Sequence, residues 1–357
     1  MSGRRAHGRR PTLVDVAAEA GVSLATASRA LGDSTLVTDQ TRSRVLQAAE
    51  RLAFQPNRLA RSLRRGATMA VGLVVPDVAA AFYAAALKAA QGALQASGYH
   101  VLVVNTDRDA ALERDALGTL RAHQVDGLLV ATSGGYEDIG VPAVFFDNLP
   151  PEPGACGVAM DNAQGIALLV RHLVGVHGHR RVAYVGPPEA VGEGAPGLSH
   201  SVGRERLEAF RDEIGRAGFA LPPEYVATTD VALTDARAQD RARTMLELST
   251  PPTAIVAGVD TLAVGVLRAI REVGRRAPDD IAVVSFDEPV FADLLDPPVT
   301  ALERHDAELG RRAAEMLLGL LAGGAVPEPP IVRVAGALRA RRSCGCDLGA
   351  PGHERTC

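Results

Sequence analysis

Seven side chains stand where apolar runs break off, and their types suit the grip of a hydroxyl-rich molecule. Phe82 and Tyr83 follow the run Ala70-Val-Gly-Leu-Val-Val-Pro76, and Asp147 and Asn148 close Ala143-Val-Phe-Phe146. Asp260 follows Ala254-Ile-Val-Ala257, Asp287 ends Ile281-Ala-Val-Val-Ser-Phe286, and Arg206 opens a helical pattern at about 203–217. Carboxylates, an amide and a guanidinium can hydrogen-bond paired hydroxyls, while aromatic faces cover the C–H surface of a sugar or polyol. Aromatic residues are only 4% of the chain, so two of them beside a strand end carry information. The competing reading of each polar residue is a helix cap or an interdomain salt bridge.

The elements that must position these residues alternate. Strand-like runs at 70–76, 101–104, 127–130 and 143–147 are separated by helical patterns at about 81–97 and 110–123. A second cycle has helices at 163–176, 203–217 and 260–273 among strands at 181–186, 254–257 and 281–286. Strands alternating with helices imply parallel sheets, and two cycles imply two doubly wound subdomains. Each would present its ligand face at the C-terminal ends of its strands.

The front of the chain has another character. Residues 1–66 hold twelve arginines and five acids, a net +7, so the remainder of a chain of net −4 carries −11. A basic leader on an acidic body predicts an anionic partner at the front only. Three short helical patterns follow the caps Thr12, Ser23 and Thr38. Ala20-Gly21-Val22-Ser23 joins the first two, and a short turn with glycine sets two helices at a steep angle. Val22 packs under that turn. Pro56 then starts a short helix that Gly66 ends, and its arginines at 58, 61, 64 and 65 repel one another. Such a segment is too short to hold alone in water and orders against phosphates or a copy of itself.

The stretch Thr12-Leu-Val-Asp-Val-Ala-Ala-Glu-Ala-Gly-Val-Ser-Leu-Ala-Thr-Ala-Ser-Arg-Ala-Leu31 resembles the headpiece of LacI/GalR regulators, and Pro56-Asn-Arg-Leu-Ala-Arg-Ser-Leu63 resembles their hinge helix. Val125-Asp-Gly-Leu-Leu129, Met160-Asp-Asn162, Gly178-His-Arg-Arg-Val-Ala-Tyr-Val-Gly186 and Ile281-Ala-Val-Val-Ser-Phe-Asp287 resemble the family's core, which is of the periplasmic-binding-protein type. The resemblance implies an α/β protein with an all-α helix-turn-helix headpiece at 1–53 and a hinge helix at 54–66. An effector-binding core at 67–345 and a tail at 346–357 follow. Within the core it places the first subdomain at about 67–162 and 301–328, and the second at about 163–300 and 329–345.

The implied activity is that of a ligand-responsive, sequence-specific DNA-binding transcriptional regulator, a repressor of carbohydrate-metabolism genes. Leu24 and Ala25 would face bases, where they can meet thymine methyls but cannot make bidentate bonds. Thr12, Ser23, Thr26, Ser28 and Arg29 would supply polar contacts to bases and phosphates. Asn57, Arg58, Arg61 and Arg64 would hold the backbone. Leu63 would wedge into the minor groove at the centre of a pseudo-palindromic double-stranded operator; pyrimidine–purine steps unstack most easily, so a central C-G step is expected there. The matching family positions of Asp147, Arg206, Asp260 and Asp287 touch the effector, a sugar or sugar phosphate. Family habit favours induction over corepression. The Gly-rich stretch from Pro187 to Gly203 is expected to form part of a lid, and Gly258-Val259 departs from the Asn or Ser often found ahead of Asp260.

Other classes are disfavoured. No Ser/His/Asp or Cys/His arrangement stands in a catalytic context and no phosphate loop is present, so no enzyme and no cofactor are expected. His172, His177 and His179 lack carboxylate or cysteine company at metal-ligand spacing, so no metal is expected. Cys344-Gly-Cys346 could be a metal or redox feature, but free thiols in a reducing compartment are the plainer reading. No run of about 18 uncharged apolar residues suggests a membrane span. Arg9-Arg10 imitates a twin-arginine signal, yet Asp15 and Glu19 interrupt the apolar segment behind it. A cytoplasmic homodimer is expected, since no leucine-heptad tail follows Arg342.

Overall fold

The computed structural model describes residues 11–32, 36–54, 67–134, 136–150, 154–187, 201–229 and 234–346. The chain divides into two units, Met1–Thr68 and Met69–Cys357. In the first, α1 (Leu13–Glu19), α2 (Leu24–Ala30) and α3 (Asp39–Arg51) enclose a small core of Val16, Ala17, Ala27, Val45 and Ala48. Helices this short need their ends satisfied. Thr12 and Asp15 form a reciprocal capping box on α1, and the Ser23 and Thr38 hydroxyls accept from the amides of Thr26 and Thr41. Gly21 holds φ +64 in the turn, and Val22 is partly buried against the core beneath it.

The second unit contains two six-stranded sheets. The first is assembled from β1 (Ala70–Val75), β2 (His100–Asn105), β3 (Gly127–Val130), β4 (Ala143–Phe146), β5 (Gly157–Met160) and β11 (Ile331–Val334). Its order is β11-β5-β4-β3-β1-β2, and every pair is parallel. The second uses β6 (Val182–Gly186), β7 (Val226–Thr228), β8 (Ala254–Ala257), β9 (Ala282–Ser285), β10 (Thr300–Glu303) and β12 (Ala337–Arg339). Its order is β12-β10-β9-β8-β6-β7, with only β12 antiparallel to its neighbour. Helices cover both faces, so the central strands are apolar on both sides and read as unbroken runs.

In the first lobe α4 (Ala81–Ala96) and α10 (Asp306–Leu321) pack on one face, and α5 (Ala110–Ala122) packs on the other. In the second lobe α6 (Asn162–Arg171) and α7 (Ser201–Arg216) cover one face, while α8 (Asp235–Leu246) and α9 (Asp260–Glu272) cover the opposite one. Phe210 on α7 is fully buried with its ring 5.2 Å from that of Tyr184. Phe210→Ala is expected to cost about 3–5 kcal/mol in urea unfolding, because transfer and cavity terms add. A loss below about 1 kcal/mol would contradict this packing.

The chain passes between the sheets around 161, 304–305 and 335–336. The last two passages correct the boundaries expected at about 300 and 328. Residues 300–303 pair with β9 in the second sheet, and 331–334 pair with β5 in the first. Both strands are short and lie next to prolines, so their edges are hard to read in sequence.

Candidate functional site

A cavity of about 500 Å³ lies between the two lobes. Its first-lobe wall comes from the β1–α4 connection and the end of β4, and its second-lobe wall from α7, the start of α9 and the end of β9. Phe82, Tyr83, Asp147, Asn148, Arg206, Asp260 and Asp287 all line it. So do Asp77, Arg108, Asp235 and Arg304, which the sequence reading does not name. Pro187, Val202 and Gly203 reach the cavity, while residues 188–200 of the expected lid lie outside the described residues.

Two buried guanidiniums organise the cavity. Arg206 is 1% exposed and lies 3.6 Å above the centroid of the Phe286 ring. It donates to Asn162 Oδ1 at 2.9 Å and to the Gly258 carbonyl, and its Nη1 stands 3.5 Å from Asp287. The Arg304 side chain is 4% exposed and sits 4.3 Å above the Phe82 ring. It donates to Asp306 at 2.9 Å, to Asp147 at 3.4 Å and to the second oxygen of Asp287. Arg304 leaves the end of β10 at the passage between lobes, so it joins Asp147 of one lobe to Asp287 of the other. Across the same gap Arg333 on β11 pairs with Glu205 on α7 at 2.8 and 2.9 Å.

The carboxylates are unequal. Burial alone would raise Asp287, but Arg206 and Arg304 outweigh it and hold the group below its ordinary value. Burial raises Asp147 despite Arg304 and Arg206. Burial, then Asp287, raises Asp260, which accepts from the amide and hydroxyl of Thr261 and has no ion-pair partner among the described residues. Burial, helped by Asp147, pushes Tyr83 well above the usual phenol value, and its hydroxyl donates to Asp147 at 3.1 Å. Asp147 has φ +62, a backbone state that non-glycine residues adopt rarely and often where function requires it. The buried Oδ1 of Asn148 has no hydrogen-bond partner among the described residues. An unpaired buried acceptor is costly, and a ligand hydroxyl would satisfy it. Paired donors and acceptors beside the Phe82 and Tyr83 rings are what a polyol needs.

In the first unit, Ser23, Leu24, Ala25 and Arg29 are exposed along α2, with Thr12, Thr26 and Ser28 half-buried. Leu24 is 50% exposed at the N-terminal end of a helix whose opposite face is core. Asn57, Arg58, Arg61, Leu63 and Arg64 lie outside the described residues.

Residues 12–57 match the model of bacterial regulatory proteins of the lacI family, and residues 170–344 match the periplasmic binding protein-like domain. The ribose operon repressor of Halalkalibacterium halodurans is 30% identical over 311 residues, spanning 86% of this chain and 89% of that repressor. The chain belongs to the LacI family of bacterial regulatory proteins. HTH-type transcriptional regulator PtxS of Pseudomonas aeruginosa is 33% identical over 328 residues, covering 89% of this chain and 91% of PtxS. The lac repressor dimer bound to operator and the anti-inducer ONPF superposes with a TM-score of 0.81 at 26% identity, over 94% of this chain and 99% of that one. This LacI-family chain is a ligand-responsive, DNA-binding transcriptional regulator. No helix among the described residues is long and apolar enough to cross a membrane.

Two expectations for this LacI-family protein need correction. His172 and His177 do have cysteine company, for Cys344 and Cys346 fold against them. The tail cysteines are also not all free thiols: Cys344 and Cys156 are free, whereas Cys346 is disulfide-bonded. Sequence spacing misses the first point because the two pairs lie more than 160 residues apart and meet only through the fold.

Proposed function

We propose that the chain is a repressor of carbohydrate-metabolism genes whose hold on its operator is released by a neutral sugar. The supporting observation is the buried Asp147–Arg304–Asp287–Arg206 array between two lobes, in a chain that also carries a helix-turn-helix unit. A neutral sugar fits the charge of the cavity better than a sugar phosphate. The lining holds five aspartates against Arg108, Arg206 and Arg304, and each of those arginines already faces a carboxylate. A phosphate would meet Asp260 with no unpaired arginine among the described lining residues to receive it.

The chain acts in the cytoplasm as a homodimer on a pseudo-palindromic duplex with a central C-G step. Two headpieces read the half-sites through Leu24, Ala25, Thr26, Ser28 and Arg29, and paired hinge helices insert Leu63. Sugar binding draws the lobes together through Arg304, and the passages between sheets transmit the change. Linkage then requires that a sugar which weakens operator binding also binds the operator complex less tightly. The resemblance includes no catalytic constellation, and the sugar leaves unchanged.

The relatives named for ribose make neutral pentoses the first candidates. A sugar at about 100 times its Kd should stabilise the core by about 2.7 kcal/mol. Thermal melts should therefore rise by several degrees with the right neutral sugar and stay flat with its phosphate ester. Tighter binding of the phosphate would overturn the charge assignment, and operator affinity indifferent to bound sugar would overturn the coupling.

A further inference from the structure

We propose that His172, His177, Cys344 and Cys346 form a tetrahedral site for a divalent, borderline-soft cation, zinc above all, once the disulfide at Cys346 is reduced. The four ligand atoms lie within 4.8 Å of one another. The two imidazole Nε2 atoms are 3.3 Å apart, the two sulfurs 3.3 Å apart, and the remaining close pairs span 3.2 to 3.6 Å. A zinc ion with ordinary Zn–N and Zn–S bonds needs edges of about 3.3 Å (N to N), 3.6 Å (N to S) and 3.8 Å (S to S). Five of the six edges are thus within about half an ångström of the requirement. Only His177 to Cys344 must close further.

The local backbone brings these groups together. In an α-helix residues five apart point about 140° away from one another. Here α6 runs into a π-turn, His172–Val176, whose wider winding returns His177 to the side of His172. Such π-turns occur often at functional sites. In the turn that carries the two cysteines Gly345 has φ +98, which lets the flanking sulfurs converge, and a Cβ there would meet the His177 ring at ordinary contact distance.

The surroundings favour the bound form. His172, Cys344 and Cys346 are buried in the second-lobe core, where a lone charge would be costly. A dication with two thiolates and two neutral imidazoles is neutral overall. The Thr300 hydroxyl accepts from the Arg341 amide and donates to Cys344 Sγ at 3.1 Å, the support a metal-bound thiolate needs. Zinc would pin the segment 341–346 to the end of α6.

A cellular dithiol, or a trialkylphosphine in vitro, delivers two electrons: R₃P + RS–SR + H₂O gives R₃P=O and two thiols. Zinc then displaces one proton each from Cys344 and Cys346.

The test is cobalt(II) titration of the full chain, reduced with a phosphine and kept anaerobic. Thiolate-to-cobalt charge transfer with intense tetrahedral visible bands should saturate at about one equivalent per chain and be displaced by zinc. The unreduced chain should lack these bands. Cys344→Ser should cut the charge-transfer intensity by about half or more, since at most one thiolate remains to bind cobalt. His177 is half-buried, so His177→Gln should fold, as checked by circular dichroism, and lower cobalt affinity at least about ten-fold. No thiolate band in the folded, reduced chain, equal binding without reduction, or equal affinity in His177→Gln would each overturn the site.

Discussion

Replacing Arg304 with methionine is expected to destabilise the chain by about 3–5 kcal/mol at pH 7, because it leaves buried carboxylates without their shared cation. Asp147, Asp287 and Asp306 all bond to Arg304, and among the described residues only Asp287 also pairs directly with a second guanidinium, Arg206 at 3.5 Å. Burial already raises Asp147 and Asp306 with Arg304 in place. Without it the folded-state values of all three should rise above their unfolded ones. The folded variant then binds more protons than the unfolded chain, so its stability increases as pH falls towards those raised values. The deficit against the parent should therefore narrow between pH 7 and pH 5. With no tryptophan in the chain, unfolding in urea is followed by circular dichroism. A variant as stable as the parent at pH 7 would mean that the array contributes no net cohesion between the lobes.

Leu63→Ala is expected to weaken specific operator binding by about 10- to 100-fold, equivalent to about 1–3 kcal/mol. The resemblance assigns Leu63 the wedge that unstacks the central base step, and alanine is too short to do so. Phosphate contacts from the arginines would persist, so non-specific binding and its salt dependence should not change. Sugar affinity should also be unchanged, because the described residues that line the cavity, from Pro76 to Arg304, all belong to the second unit. Competition between the selected duplex and a scrambled one separates the two terms. Equal operator affinity for the variant would remove the wedge from the mechanism.

What could be read in the sequence follows from burial on two faces. β4, β8 and β9 are central strands, so they appear as unbroken apolar runs, and polar residues at their ends stand out. That is how Asp147, Asp260 and Asp287 become candidates, and the fold brings them to one cavity. Arg304 escapes notice because β10 reads Thr-Ala-Leu-Glu, four residues with polar ends that hardly form a run. α8 escapes because its inward face is largely alanine, with Ala238 and Ala242 fully buried, so its apolar period is faint. The histidine–cysteine cluster depends on a π-turn and on contact between distant segments, and no local spacing rule contains either. Residues of the hinge remain assigned by resemblance alone.

The protein is proposed to read a symmetric duplex site as a dimer. The most direct test is selection of the purified full chain against a random duplex library at physiological salt, with sequencing of the bound pool. Enrichment of a two-fold symmetric consensus with a central C-G step is expected, recovered in the same form from independent selections. Binding without any consensus, fading steadily as salt is raised, would reduce the headpiece to phosphate attraction and contradict the account.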